Sequence, residues 1–203
     1  MSCAFRVLLL TGALFSQASV QAQTVSRWML GPGSLLEFDA TQQGAKFTGR
    51  FERFEATIRL DPGAPETGEL RVTVFTASVN TDYGERDEAL RHPDLLATDI
   101  WATASFESEA IRRVTEDRFE ATGPLTIRDI TRSVSLPFRF LRQGGDAELT
   151  GAVTLSRLAF GVGQGEWANT DWVGDEVDVR FSLRLREAVG EPRAVSPPPT
   201  GDR

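Results

Sequence analysis

The stretch Val177-Asp178-Val179-Arg180-Phe181-Ser182-Leu183-Arg184-Leu185-Arg186 decides the fold. Val177, Val179, Phe181, Leu183 and Leu185 fall on one face; Asp178, Arg180, Ser182, Arg184 and Arg186 fall on the other. A period of two is the mark of a half-buried β-strand. The same alternation recurs upstream. It is read at Leu36 to Asp39, Lys46 to Phe51, Phe54 to Leu60, Leu70 to Phe75 and Ala104 to Ile111. It returns at Arg118 to Gly123, Leu125 to Ile127, Val134 to Phe140 and Leu149 to Leu155. That makes about eight to ten strands of similar length.

The punctuation fits this reading. Asp61-Pro62-Gly63-Ala64-Pro65 is a turn, and Gly144-Gly145 is a tight hairpin link. Gly49, inside a strand pattern, marks a bulge or a close approach. One segment departs from the period. Asp82 to His92 carries Glu85, Arg86, Glu88, Ala89, Leu90 and Arg91, which tolerate or favour a helix. Thr81 or Asp82 is placed to cap its start, and Pro93 forbids continuation. An all-β sandwich or barrel with one short helix lying across its strands follows.

The first 22 residues read as an export signal. Arg6 precedes the apolar run Val7 to Phe15, and Val20-Gln21-Ala22 presents small residues for cleavage after Ala22. Export of this kind places the mature chain in the periplasm. Cleavage removes Cys3, the only cysteine, and with it any thiol chemistry. The next segment, residues 23–187, suits one domain, since a chain of this size buries about 70% of its unfolded surface. The tail 188–203, with Pro192, Pro197, Pro198 and Pro199, has too little apolar content to pack and is expected to be disordered.

Charge and residue usage exclude several functions. Loss of Arg6 takes the formal net charge from −7 to −8, unsuited to nucleic acid. His92 is the sole histidine, so a metal site lacks converging ligands, and no metal is expected. Asp82, Glu85, Asp87 and Glu88 lack the spacing of a calcium loop and read as a solvated helix face. Ser78 has no base beside it, so serine nucleophilic catalysis is not expected. Thr126 and Thr131 read as turn or backbone partners. Gly161, Gly163 and Gly165 are not a nucleotide fingerprint, because no helix follows on that pattern. An enzyme is not expected.

What the chain has in quantity is phenylalanine, thirteen of them. The apolar face carries Phe38, Phe54, Ile58, Leu70, Val72, Val74, Phe106, Phe119, Leu136, Phe138, Phe140, Val153, Val179, Phe181 and Leu183, with Val134, Leu149 and Leu155 beside them. None is charged. An eight-stranded barrel has an interior wide enough to be filled by side chains or to hold one slim guest. These residues line a tunnel in the second case and fill a core in the first. The filled case leaves a stress or structural protein acting through its loops.

The segments resemble the YceI family of bacterial periplasmic lipocalin-like proteins, also described as polyisoprenoid-binding proteins. The likeness runs from about Trp28 to Leu185. It is carried by GRFERF at 49–54, ASVNT at 77–81 followed by Arg86-Asp87 and Leu90-Arg91, and ASFES at 104–108. GPLTIRDITRSVSLP at 123–137, SRLAFGV at 156–162 and VGDEVDV at 173–179 complete it in the family's order. Departures are Gly33-Ser34 for a His-Ser pair, Leu95-Leu96 for paired Phe, Ala102 for a Pro and Asp129 for a turn Gly.

The resemblance implies an extended eight-stranded antiparallel β-barrel with one short helix near an end. It implies an isoprenoid lipid or quinone held in an apolar tunnel, with no cofactor required. Arg86, Arg91 and Arg157 are candidates for a polar or phosphorylated head group, because the guanidinium fork pairs with phosphate. The alternative is a structural role, with Arg157 paired to Asp87 or Glu176. Trp167 and Trp172 lie in the loop 163–172, flanking its polar part, and are candidate gates of the tunnel or contacts to a membrane interface. That loop resembles a variant associated with membrane b-type cytochromes, and a symmetric homodimer is a further expectation.

Overall fold

The structure, a computed structural model, describes residues 26–188. The export segment 1–22 and residues 189–203 of the tail lie outside the described residues. Among the described residues there are twelve strand segments and one α-helix. They are β1 (Arg27–Leu30), β2 (Leu35–Gln42), β3 (Ala45–Phe51), β4 (Phe54–Arg59), β5 (Glu69–Phe75) and β6 (Val79–Asn80). After α1 (Gly84–Arg91) come β7 (Thr103–Glu107), β8 (Ala110–Arg113), β9 (Arg118–Ile127), β10 (Ile130–Gln143), β11 (Asp146–Ser156) and β12 (Glu176–Glu187).

Several segments are halves of one interrupted strand. β1 with β2, β3 with β4, β5 with β6, and β7 with β8 each form a single stave, because both halves pair with the same neighbour. With β9, β10, β11 and β12 this gives eight staves. Each pairs antiparallel with the next in sequence, and β12 returns to pair with both β1 and β2. The result is a closed eight-stranded antiparallel barrel, which leaves no long sheet edge unpaired.

One seam is incomplete. The first two staves pair from Glu37↔Arg50 to the hairpin end and again at Trp28↔Ile58, but not between. The corresponding break between β1 and β12 is stitched by Gly31 N–H donating to the Arg184 carbonyl (2.7 Å) and by the Ser34 hydroxyl accepting from Arg184 N–H (3.0 Å).

The sequence missed β1, whose four residues are too few to show alternation. It read Ala104 to Ile111 as continuous, whereas the stave breaks between Glu107 and Ala110. The helix is shorter than the segment Asp82 to His92, and neither Thr81 nor Asp82 caps it. Its N-cap is Tyr83, with no side-chain cap. Thr81 instead donates from its backbone N–H and its hydroxyl to the Asp87 carboxylate (2.8 and 2.7 Å), which ties the first helical turn to the stave before it.

Gly49 is a close approach. A Cβ there would stand 2.3 Å from the ring of Phe38, its cross-strand partner. Gly151 repeats the device, with the Phe181 ring 2.3 Å from where its Cβ would be. In both places the missing side chain lets a phenyl ring lie flat against the barrel wall.

The core sits at one end. Trp28, Ile58, Leu60, Phe119, Phe140 and Leu185 are almost fully buried there. The Trp28 indole packs edge-on to Phe140 (5.3 Å between centroids) and donates to the Leu60 carbonyl (3.0 Å). Phe119 stacks on Phe138 at 5.6 Å. At the other end lie the β2–β3 hairpin, the helix with the loop after it, the β9–β10 turn and the loop 157–175.

Candidate functional site

The half of the barrel next to the helix is hollow. An inner chamber of about 180 Å³ is bounded by Leu36, Phe51, Phe54, Ile58, Leu70, Val72, Val74, Phe106, Leu125, Ile127, Leu136, Phe138, Leu149, Leu155, Val179, Phe181 and Leu183, with Leu96, Ala104, Ser105 and Thr76. The Thr76 hydroxyl is turned to the Trp101 carbonyl (2.8 Å). Among the described residues no charged side chain borders the chamber.

A second space of about 420 Å³ lies at the helix end. Phe51, Leu96, Ile127, Leu155 and Val179 border both, so the two spaces adjoin along the barrel. This vestibule adds Phe38, Phe47, Leu90, Leu95, Phe160 and Trp167, and it carries the polar groups Gln42, Tyr83, Glu85, Arg86 and Arg157. Phe38 meets Phe47 edge-on at 6.3 Å and Phe51 at 5.6 Å.

The helix places Arg86, Ala89 and Leu90 on the vestibule because positions three and four apart share a helical face. The Arg86 guanidinium lies 4.1 Å from the Phe47 ring centre and 5.3 Å from that of Tyr83. Its Nε–H donates to Gln42 Oε1 (3.2 Å). Among the described residues it forms no ion pair. Beside it the Tyr83 hydroxyl donates to Glu85 (2.6 Å), which holds the phenol pKa above its ordinary value.

The other two arginines are fastened to backbone. Arg91 donates to the carbonyls of Ala77 (3.1 Å) and Val79 (2.8 Å) and clamps the helix to β6. Arg157 is 6% exposed and donates to the carbonyls of Gly174 (2.9 Å), Val162 (2.9 Å) and Val173 (2.6 Å). Burial pushes its pKa down, and Asp175 opposes that. The pairing of Arg157 with Asp87 or Glu176 is therefore corrected: backbone carbonyls of the 157–175 loop take the guanidinium, and Asp87 serves Thr81. A buried guanidinium with three such bonds holds the loop in shape.

Other expectations need correction. Phe119 and Phe140 border neither chamber and belong to the packed end beneath it. Val153 borders neither, although its partner Val179 borders both. Trp167 lines the vestibule; Trp172 is 60% exposed and borders neither space. Sequence reading missed Leu36, Phe51, Leu96 and Ile127 as wall residues. Phe51 and Leu36 obey the alternation and were readable, whereas Leu96 lies in a loop with no period to reveal it.

His92 is exposed and lies 3.4 Å from Asp94. Ser78 donates to the Phe75 carbonyl (2.7 Å), and Thr126 and Thr131 pair with each other across β9 and β10 (2.8 Å). Among the described residues no three His, Cys, Asp or Glu side chains come together as metal ligands.

The YceI-like domain matches residues 23–185 of this sequence. The chain belongs to the YceI family. A UPF0312 protein of Pseudomonas paraeruginosa is 32% identical over 162 residues, covering 76% of this YceI chain and 84% of its own. Among solved structures, BcnA of Burkholderia cenocepacia superposes with a TM-score of 0.73 at 28% identity, over 74% of this chain and 95% of its own. A polyisoprenoid binding domain from Saccharophagus degradans, implicated in plant cell wall breakdown, shares the fold with a TM-score of 0.65 at 13% identity, over 81% and 99%.

Proposed function

We propose that this YceI protein is a carrier that holds an isoprenoid lipid or quinone by its tail, and that it is a binding protein and not an enzyme. The observation that carries the reading is a chamber with no charged wall residue among the described residues, adjoining a polar-rimmed vestibule through five shared wall residues. Burial of a hydrocarbon is worth about 0.8 kcal/mol per CH₂, so each prenyl unit contributes roughly 3–4 kcal/mol before ordering losses. Affinity of this origin needs no catalytic group and no cofactor. The solved Saccharophagus degradans domain, named for polyisoprenoid binding, supports the same reading through a shared fold.

In this proposal the tail enters the chamber and the head stays in the vestibule beside Arg86. Arg86 has donors to offer there, while Arg91 and Arg157 are committed to backbone carbonyls. Loading occurs in the periplasm after removal of residues 1–22, during transient contact with the membrane. Tyr83, Ile100 and Trp172, each at least half exposed at the vestibule end, are the groups that would touch it. Neither a cytochrome contact nor a pairing of two barrels enters the proposal.

Lipid extraction and mass spectrometry of the purified protein test the reading. A prenyl lipid or quinone is expected in the extract of the native protein and absent from that of Phe181→Arg, whose charge would stand in the chamber. Lipid-free protein that also takes up no added prenyl quinone would refute it.

A further inference from the structure

The hollow is open at the helix end and stopped at the other. The inner chamber ends on Ile58, Leu70, Phe138, Leu149 and Leu183. Their cross-strand partners are Trp28 beside Ile58, Phe119 beside Phe138 and Phe140 beside Leu149, all three buried to 3% exposure or less and bordering neither space. Phe138 is stacked on Phe119, and the Trp28 indole is fixed by its bond to Leu60. Close-packed rings held in this way do not yield to a flexible tail. From these contacts we infer that the aromatic floor is a ruler that limits how many prenyl units contribute to binding. The inference rests on the carrier reading above.

The limit follows from volume. A dry apolar cavity of about 150 Å³ takes one benzene ring. The inner chamber, about 180 Å³, is slightly larger than that, and the vestibule, about 420 Å³, is nearly three times as large. Together they take at most on the order of twenty to twenty-five carbons, or four to five prenyl units, since the vestibule is partly open and polar-rimmed. A head group uses part of the vestibule, which sets the limit nearer four. Carbons beyond the limit remain in water and add no burial. The geometry therefore assigns this chain the isoprenoids of middle length as fully housed ligands. A tail of eight units gains nothing over one of five.

The experiment is a binding series with prenyl alcohols of ten, fifteen, twenty, twenty-five and forty carbons. Each is titrated into delipidated protein and read by native mass spectrometry and by tryptophan fluorescence. Affinity is expected to rise tenfold or more per unit up to twenty or twenty-five carbons, then to stay level within about threefold at forty. Two variants move the floor in opposite directions. Phe138→Ala deepens it and shifts the break one unit longer. Leu149→Phe raises it and shifts the break one unit shorter; this variant adds bulk at the chamber edge and remains informative if Phe138→Ala does not fold.

A continued rise to forty carbons would overturn the ruler, with the tail leaving through the unpaired stretch between Trp28↔Ile58 and Glu37↔Arg50. A break that neither folded variant moves would overturn the assignment of the floor. Absence of binding at every length would instead remove the carrier reading itself, and the ruler with it.

Discussion

The two halves of this barrel are made from the same staves, yet one is solid and the other hollow. Their sequences alternate equally well, so alternation does not explain the difference. In the packed half the inward positions carry Trp28, Phe119 and Phe140, which are buried in one cluster, Trp28 against Phe140 and Phe119 against Phe138. In the hollow half they carry the smaller Val72, Val74, Ala104 and Val179, which border the chamber. Two of the large rings on its walls are set back. Phe38 lies over Gly49 and Phe181 over Gly151, flat against the wall. Period two assigns each side chain to a face; side-chain reach and two glycines decide whether that face is filled.

The comparison can be broken most severely at the packed end. Phe119→Ala is expected to lose about 3–5 kcal/mol of stability, measured by urea titration, because the surrounding rings cannot close on the void. A loss below about 1 kcal/mol would mean that this half is as loose as the other. Next in size is Gly151→Val. The new side chain meets both the Phe181 ring (2.3 Å) and the Pro137 carbonyl (2.5 Å), pushes the ring off the wall, costs about 1–3 kcal/mol by overpacking, and lowers uptake of a prenyl probe at least tenfold. Unchanged uptake would show that the recessed ring does not keep the chamber open.

Leu155→Ala sharpens the contrast from the hollow side. Leu155 already borders empty space, so the loss is expected to stay near about 1 kcal/mol, below the range for packed leucines. The smallest effect lies on the outer surface. Arg50 lowers the Asp82 pKa and Arg139 lowers that of Asp117, each below the ordinary 3.8. A depressed carboxylate contributes stability above its unfolded pKa and loses it as pH falls through the folded one. Asp82→Asn and Asp117→Asn should therefore flatten the acid limb of the stability curve slightly and leave neutral pH almost unchanged. These are exposed pairs, and such pairs stabilise little.

The fold was legible because closure of a sheet needs only amphipathic strands of matching length joined by short turns, and β9 to β11 show all of these. Its interruptions were not. β1 is four residues long, and the break between Glu107 and Ala110 falls in a stretch whose residue types suit a strand throughout. The wall of the chamber was largely legible for the same reason, since Phe54, Leu136 and Phe181 face inward by period. Depth along the axis was not legible, because it depends on strand stagger. Phe119 and Phe140 share the inward face with Phe138, yet only Phe138 reaches the hollow. The roles of Arg91 and Arg157 were hidden too, since their partners are carbonyls that leave no mark in side-chain identity.

Seven of the eight joints of this meander link neighbours in sequence. The eighth joins β12 to β1 and β2, between positions about 140 to 160 residues apart, as in Phe181↔Leu36 and Glu187↔Trp28. Ordered from the N-terminus, the chain gains its walls one at a time but encloses nothing until the last strand has arrived. A nascent or truncated molecule lacking that strand is a curled, greasy sheet with two raw edges, prone to self-association. Because this joint is the last to form, the barrel has no closed interior to hold a guest until the chain is complete.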